Sequence, residues 1–93
     1  VTDDQIRELL GQGAMVAPGV KNRFEGLLAG DMDPWWSTTL GAKDARLAAE
    51  AAAAAGLDLP LARTVSGLYA EAAGAGAADD DIVAVARRYR PAR

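Results

Sequence analysis

The chain has 93 residues, of which 51% are hydrophobic and 25% charged, and its formal net charge is −3. That length allows one small domain with a modest core, and the acidic balance offers no basic footprint for nucleic acid or an anionic membrane. The lack of cysteine and histidine excludes disulfides, thiolate metal sites and histidine-based catalysis. No apolar run reaches the ~18 residues of a membrane span. Since no signal peptide is visible either, we expect a cytoplasmic protein without a metal site.

The first third of the chain predicts two helices. Thr2 and Gln5 have the spacing of a capping box, and the helix they open should end near Gly11 and Gly13. The second helix should end at Gly30. Its apolar stripe consists of Val20, Phe24, Leu27 and Leu28.

A third helix follows the sequence "DMDPWW". Ser37, Thr38 or Thr39 can cap its start, and Gly56 is suited to its C-terminal end. The run Ala51–Ala55 combines high helix propensity with small side chains. We therefore expect this run to form a packing seam with another helix.

Two more helices complete the prediction. The fourth begins at Pro60, and its core face should consist of Leu61, Val65, Leu68 and Ala72. Asp79 or Asp80 should cap the fifth helix, whose packing residues should be Ile82, Val85, Ala86 and Tyr89. Pro91 should stop it after a solvated basic end made of Arg87, Arg88, Arg90 and Arg93. The pattern therefore predicts an all-α fold of about five helices in a single domain, residues 1–93.

Two charged residues near the start of the third helix stand beside its apolar stripe. On a helical wheel Leu40 and Leu47 lie on one line, with Asp44 about 40° to one side and Lys43 about 60° to the other. Charged side chains seldom border a buried face unless they are paired or used. The two charges could line a cleft shared with another domain or subunit. Alternatively, Lys43 extends along Leu47 to water and Asp44 bonds a nearby backbone amide.

The neighbouring tryptophans have two interpretations as well. Trp35 and Trp36 could fill the core and shield a loop, or an indole beside Lys43 and Asp44 could form the wall of a small-molecule pocket. The aspartates at positions 79–81 are interpreted as a helix cap and not as a metal site.

The segment from Trp36 to Val85 resembles the C-terminal domain of the β-hydroxyacid dehydrogenases, the family of 3-hydroxyisobutyrate dehydrogenase and tartronate semialdehyde reductase, related to 6-phosphogluconate dehydrogenase. The family pattern is an aromatic residue seven positions before a Lys-Asp pair, then Leu-Ala, followed by a helix of small residues and a segment that carries Tyr, Ala, two glycines and Asp in that order. These elements correspond to Trp36, Lys43, Asp44, Leu47, Ala48, Gly56, Pro60, Tyr69, Ala73, Gly74, Gly76 and the aspartates at 79–81.

The resemblance implies a helical domain that closes over the cleft of an NAD- or NADP-dependent enzyme. In such enzymes a Rossmann domain binds the dinucleotide and an interdomain helix carries the catalytic lysine. Carried onto this chain, the resemblance implies that Lys43 contacts the cofactor. It also implies that Trp36 and Asp44 help to form the pocket for a small hydroxyacid or semialdehyde. The family aromatic is usually Phe, and the larger Trp36 departs from that pattern, so the resemblance does not carry over a substrate size or identity.

The sequence contains no glycine-rich nucleotide loop and no catalytic lysine segment, so we expect no catalytic residue in this chain. We expect it to be an inactive C-terminal piece of a longer dehydrogenase, lacking the Rossmann domain and the interdomain helix. Without these parts, apolar surface on the remaining helices would be uncovered. We therefore expect the chain to form a homo-oligomer. The alternative is a stand-alone helical interaction or oligomerisation module without catalysis.

Overall fold

The computed structural model describes residues 1–90, and the prediction of an all-α fold is confirmed. The five α-helices are α1 (Asp3–Gly11), α2 (Pro18–Lys21), α3 (Phe24–Ala29), α4 (Thr38–Ala54) and α5 (Pro60–Ala72). A π-helical turn, Ala73–Ala77, and a 3-10 helix, Ile82–Tyr89, follow them. Residues 1–90 contain no β-strand, and their only β pairing is an isolated bridge between Ser37 and Asp81. The predicted stop at Pro91 and the last arginine, Arg93, lie outside the described residues.

The described chain divides into two compact units, residues 1–32 and the residues from Asp33 onwards. In the first unit α1 begins with the predicted capping box: the Gln5 amide donates to Thr2 Oγ1 over 3.2 Å, and the Thr2 amide donates to Gln5 Oε1 over 2.9 Å. Arg7 joins α1 to α3, since its guanidinium donates two bonds to the Glu25 carboxylate. This partner raises the pKa of Arg7 above its usual value, so the arginine remains a cation.

The predicted second helix is in fact two short helices, α2 and α3, with a break at Asn22 and Arg23. Glycines at positions 19 and 26 and an asparagine at 22 lower the helix propensity of this segment. The Arg23 guanidinium also donates a 2.8 Å hydrogen bond to the Gly19 carbonyl. The apolar stripe of this segment is therefore shared between two helices. Gly30 ends α3 as predicted, with a φ of 80°.

In the second unit α4 has the predicted ends. The Ser37 hydroxyl caps its start by accepting a hydrogen bond from the Leu40 amide over 3.2 Å. At the other end Gly56 adopts a φ of +76°. The Gly56 and Leu57 amides donate to the Ala53 and Ala52 carbonyls, in the pattern of a Schellman motif. That turn sends the chain into α5, which begins at Pro60 as predicted.

Helices α4 and α5 pack on each other through small residues. Gly41 is buried, and an added Cβ there would lie 2.8 Å from Ile82 Cγ2 and 3.4 Å from Tyr69 Cδ2. The Ser66 hydroxyl donates to the Ala42 carbonyl over 3.4 Å. The seam thus lies nearer the start of α4 than the predicted alanine run, of which only Ala52 is partly buried.

The predicted core face of α5 is wrong at its N-terminal end. Leu61 is 80% exposed and Val65 37% exposed, while Leu68 and Ala72 further along are partly covered. Ser66 and Tyr69, on another side of the helix, meet α4 instead. Among residues 1–90 the buried apolar side chains are Ala77 and Ala84. The core is therefore small and lies beside the start of α4.

The last predicted helix is a 3-10 helix, and its predicted cap is wrong. Asp81, and neither Asp79 nor Asp80, caps it by accepting a hydrogen bond from the Val83 amide. With three residues per turn instead of 3.6, the helix turns different side chains inwards. Ala84 is buried and Tyr89 is 70% exposed. The α-helical period predicts that Tyr89 packs inwards, and this prediction is wrong.

Candidate functional site

The start of α4 is attached to the segment before the 3-10 helix by a set of hydrogen bonds centred on a buried threonine. Thr38 is fully buried. Its amide donates to the Asp80 carbonyl over 2.8 Å, and its hydroxyl lies 3.0 Å from the Asp80 carbonyl and 3.1 Å from the Asp81 carbonyl. Thr39 adds bonds from its amide and its hydroxyl to the Ala78 carbonyl. The first turn of α4 therefore has a fixed position.

Asp81 extends this attachment to the tryptophans. It is 3% exposed, and its Oδ2 accepts hydrogen bonds from the Trp35 amide over 2.9 Å and the Trp36 amide over 3.2 Å. Its Oδ1 accepts the bond from the Val83 amide over 3.2 Å. The Ile82 amide donates to the Trp36 carbonyl over 2.9 Å. One buried carboxylate thus caps a helix and holds a loop 45 residues earlier in the chain.

The indoles themselves are only partly covered. Trp36 is 43% exposed and Trp35 is 69% exposed. The sequence-based interpretation in which one of them fills the core is therefore wrong. Trp36 presents its ring at the surface immediately before α4, while its peptide groups are held from both sides.

Lys43 and Asp44 form an ion pair near the start of α4. The Lys43 ammonium lies 3.1 Å from Asp44 Oδ1, and the two side chains are 46% and 47% exposed. Asp44 thus pairs with its neighbour in place of the backbone amide considered from the sequence. Arg46 and Glu50 form a separate surface pair at 2.8 Å. A solvent-facing pair is weakly held, so both charges can turn to a ligand at little cost.

Two grooves lie elsewhere on the second unit. One of about 300 Å³ runs between α5 and the 3-10 helix and is lined by apolar residues such as Leu68 and Val85. Its lining includes Glu71 and Arg88, which are hydrogen-bonded to each other, and this bond raises the pKa of Arg88. A second groove, of about 310 Å³, lies between α4 and α5. Neither lining contains Trp36, Lys43 or Asp44.

The described part of the chain offers no metal or membrane-spanning feature. Within residues 1–90, no three His, Cys, Asp or Glu side chains cluster as metal ligands would. In the same range, no helix combines the length and the apolar character that crossing a bilayer requires.

Sequence reasoning did not single out Thr38, Gly41 or Asp81 as key positions. Thr38 was one of three possible caps, and Asp81 was one of three consecutive aspartates. The polar residues at the start of α4 and the aspartates at positions 79–81 were a signal. The unpaired amides at a buried helix start need hydrogen-bond acceptors, and a buried threonine hydroxyl needs a carbonyl to which it can donate. Which of the three aspartates accepts from backbone amides depends on the contact with residues 35 and 36. Local sequence does not encode that contact.

Comparison with known protein families gives a match over almost the whole chain. Residues 1–89 match the family described as NAD-binding of NADP-dependent 3-hydroxyisobutyrate dehydrogenase. The chain belongs to this family. Among curated proteins, no sequence matches the chain significantly. The resemblance drawn from the combined pattern between Trp36 and Val85 is thus confirmed at the level of the family.

Proposed function

We propose that this chain is the helical C-terminal domain of an NAD- or NADP-dependent 3-hydroxyacid dehydrogenase. The observation that carries the proposal is the family match over residues 1–89, together with the half-exposed Lys43–Asp44 pair at the start of α4. In this proposal the domain closes the cleft over dinucleotide and substrate, and the rest of the enzyme supplies the nucleotide-binding domain and the catalytic lysine. The domain alone is inactive, and the enzyme works in the cytoplasm.

Lys43 suits a contact to the edge of a dinucleotide. Its ammonium is a compact point charge that phosphate and ribose oxygens can meet, and nearly half of the side chain is open to solvent. The bound dinucleotide supplies a nicotinamide ring that exchanges hydride with the substrate carbon. Lys43 itself holds the cofactor's charged edge, and Asp44 beside it faces the substrate.

Asp44 and Trp36 are the proposed substrate contacts. A carboxylate can accept a hydrogen bond from the hydroxyl of a hydroxyacid. The half-exposed indole offers an apolar wall, and because Trp is bulky, it should favour a short substrate. Lys43 places a positive charge beside Asp44, which lessens the repulsion between that carboxylate and the carboxylate of the substrate.

The test uses the longest natural chain that contains residues 1–93. Reduction of NAD⁺ and of NADP⁺ would be followed by absorbance with a panel of short 3-hydroxyacids and 2-hydroxyacids. We expect turnover with at least one hydroxyacid, and an increase in KM of roughly tenfold for Asp44→Asn. Asp58→Asn is the matched control, because Asp58 sits in the exposed Asp58–Arg63 pair. Absence of turnover throughout the panel, or equal effects of both variants, would contradict the proposal.

A second candidate function is supported by the uncovered apolar side chains. Leu40 and Leu47 on α4 and Leu61 and Val65 on α5 are each more than a third exposed; we call these four residues the apolar face. Exposed apolar area of this kind is typical of interaction surfaces. We therefore propose that the domain self-associates through the apolar face. In the alternative function, this association is its whole role and no catalysis accompanies it.

Light scattering at several concentrations tests the self-association. We expect an average mass that rises to at least that of a dimer. A mass fixed at the monomer value would overturn this part of the proposal without affecting the dehydrogenase assignment.

A further inference from the structure

Asp81 does more than a helix cap needs. Capping the 3-10 helix requires one acceptor, and Oδ1 provides it for the Val83 amide. The second oxygen, Oδ2, accepts from two consecutive amides, those of Trp35 and Trp36. A buried carboxylate costs free energy unless its oxygens are satisfied. Here the amide bonds to a distant loop help to satisfy it.

Trp36 depends on this contact for its position. Its amide is bound by Asp81, its carbonyl is bound by the Ile82 amide over 2.9 Å, and the residue is 43% exposed. Because the residue is this exposed, we attribute its position mainly to these backbone bonds. The peptide groups on both sides of the Trp36 Cα set the direction of its side chain.

We propose that Asp81 is a positioning residue for the substrate pocket, which it serves by fixing the backbone of Trp36 and, through that backbone, the indole wall. This inference rests on the proposed function for the role of Trp36. It assigns part of the substrate specificity to a residue that need not touch the substrate. Thr38 keeps the start of α4 in place independently, so the loss of Asp81 should release Trp36 more than Lys43 and Asp44.

The chemistry of the side chain suggests a variant that separates capping from positioning. Serine caps helices about as well as aspartate, and its hydroxyl can accept the Val83 amide. Its oxygen is one bond nearer the backbone and cannot also reach the Trp35 and Trp36 amides. Asp81→Ser therefore keeps the cap and removes the attachment of the loop. Asp81→Asn keeps the size of the side chain but leaves one accepting oxygen, so its effect should be intermediate.

The control is Asp79→Asn. Asp79 lies in the same acidic segment and is exposed, so this change removes the same charge without touching the loop. All variants would be made in the longest natural chain, as in the activity assay. The steady-state kinetics of hydroxyacid oxidation would be measured for each.

The second readout is ¹⁹F NMR of protein labelled with 5-fluorotryptophan. This chain has two tryptophans, and the loss of one signal in Trp36→Phe assigns the resonance of Trp36. A purely structural role would lower stability without a selective change at this resonance in the folded protein. The NMR readout does not depend on activity.

We expect Asp81→Ser to shift and narrow the Trp36 resonance and to raise the substrate KM roughly tenfold, with kcat changed less than about twofold. Asp79→Asn should match the wild type in both readouts.

If the wild type oxidises hydroxyacids but Asp81→Ser changes neither the resonance nor KM, the inference is overturned while the proposed function stands. If Asp81→Ser does not fold, an Asp81→Asn variant with wild-type NMR and KM overturns it in the same way. If the wild type has no activity, the proposed function falls, and with it the inferred role of Asp81 in the pocket, whatever the resonance does.

Discussion

The two ends of the α4–α5 pair differ in burial and in hydrogen bonding. At the end where α4 starts, the buried side chains include Thr38, Asp81, Ala77 and Ala84, and hydrogen bonds join residues more than 35 positions apart. At the end where α5 starts, Leu57, Leu59 and Leu61 are exposed to solvent. Polar contacts therefore fix one end within the chain, while the apolar residues at the other end are suited to contact with another surface.

This comparison explains where the candidate site lies. Trp36, Lys43 and Asp44 are all at the end fixed by hydrogen bonds, where a ligand would meet side chains carried by a backbone that is already in place. Binding to such a site costs less ordering entropy than binding to a mobile one. The exposed end suits a partner that covers apolar surface.

The largest effect on stability is expected for Thr38→Val. Valine keeps the shape of threonine but removes the hydroxyl that serves the Asp80 and Asp81 carbonyls. The loss of a buried donor should lower the free energy of unfolding by about 2 kcal/mol, measured by urea denaturation. Thr39→Val is the control, because its hydroxyl bond lies at the surface and should cost less than about 1 kcal/mol. Equal losses in the two variants would contradict the distinction between buried and surface bonds.

Gly41→Ala should also lower the free energy of unfolding, but by less than Thr38→Val does. The new methyl group would meet Ile82 and Tyr69 at the closest approach of α4 to its neighbours. Overpacking costs about 1–3 kcal/mol, and the higher helix propensity of alanine returns about 1 kcal/mol, so a net loss of about 1 kcal/mol follows. Gly67→Ala in α5 is the control: a Cβ there meets nothing within 4 Å, and that variant should be more stable than the wild type. A stabilised Gly41→Ala protein would show that the seam is looser than described.

The smallest effect on folding is expected for Leu61→Ser at the exposed end. Because Leu61 is 80% exposed, the change should alter the free energy of unfolding of the monomer by less than about 0.5 kcal/mol. It should nevertheless weaken self-association, which light scattering would detect. Ala48→Ser, also exposed on α4 but outside the apolar face, should leave the association unchanged. A large loss of monomer stability in Leu61→Ser would mean that this end also carries the fold.

Much of the fold could be predicted because its signals are local. The capping box at Thr2 and Gln5, the Ser37 cap, the Gly56 turn and the proline at position 60 all depend on neighbours within a few residues. The choice of Asp81 among three aspartates could not be predicted, since amides at positions 35 and 36 decide it.

The stripe of Leu61 and Val65 shows what hydrophobic periodicity does not predict. Periodicity identifies an apolar face correctly, but it does not say whether the chain has anything to cover that face. At the candidate site, the Lys-Asp pair together with the aromatic, small-residue and glycine positions around it predicted the family. The roles of Lys43, Asp44 and Trp36 toward cofactor and substrate stay predictions, because they concern contacts with molecules outside this chain.

The most direct test of the account is the effect of Lys43→Ala on the KM for the dinucleotide in the longest natural chain. Lys21 is the other lysine of this sequence, so Lys21→Ala removes the same charge from the first unit and serves as the control. We predict a KM raised roughly tenfold or more in Lys43→Ala, as expected for a lost charge-assisted contact, and no change in Lys21→Ala. An unchanged KM in Lys43→Ala, or an equal rise in both variants, would contradict the claim that the start of α4 faces the cofactor.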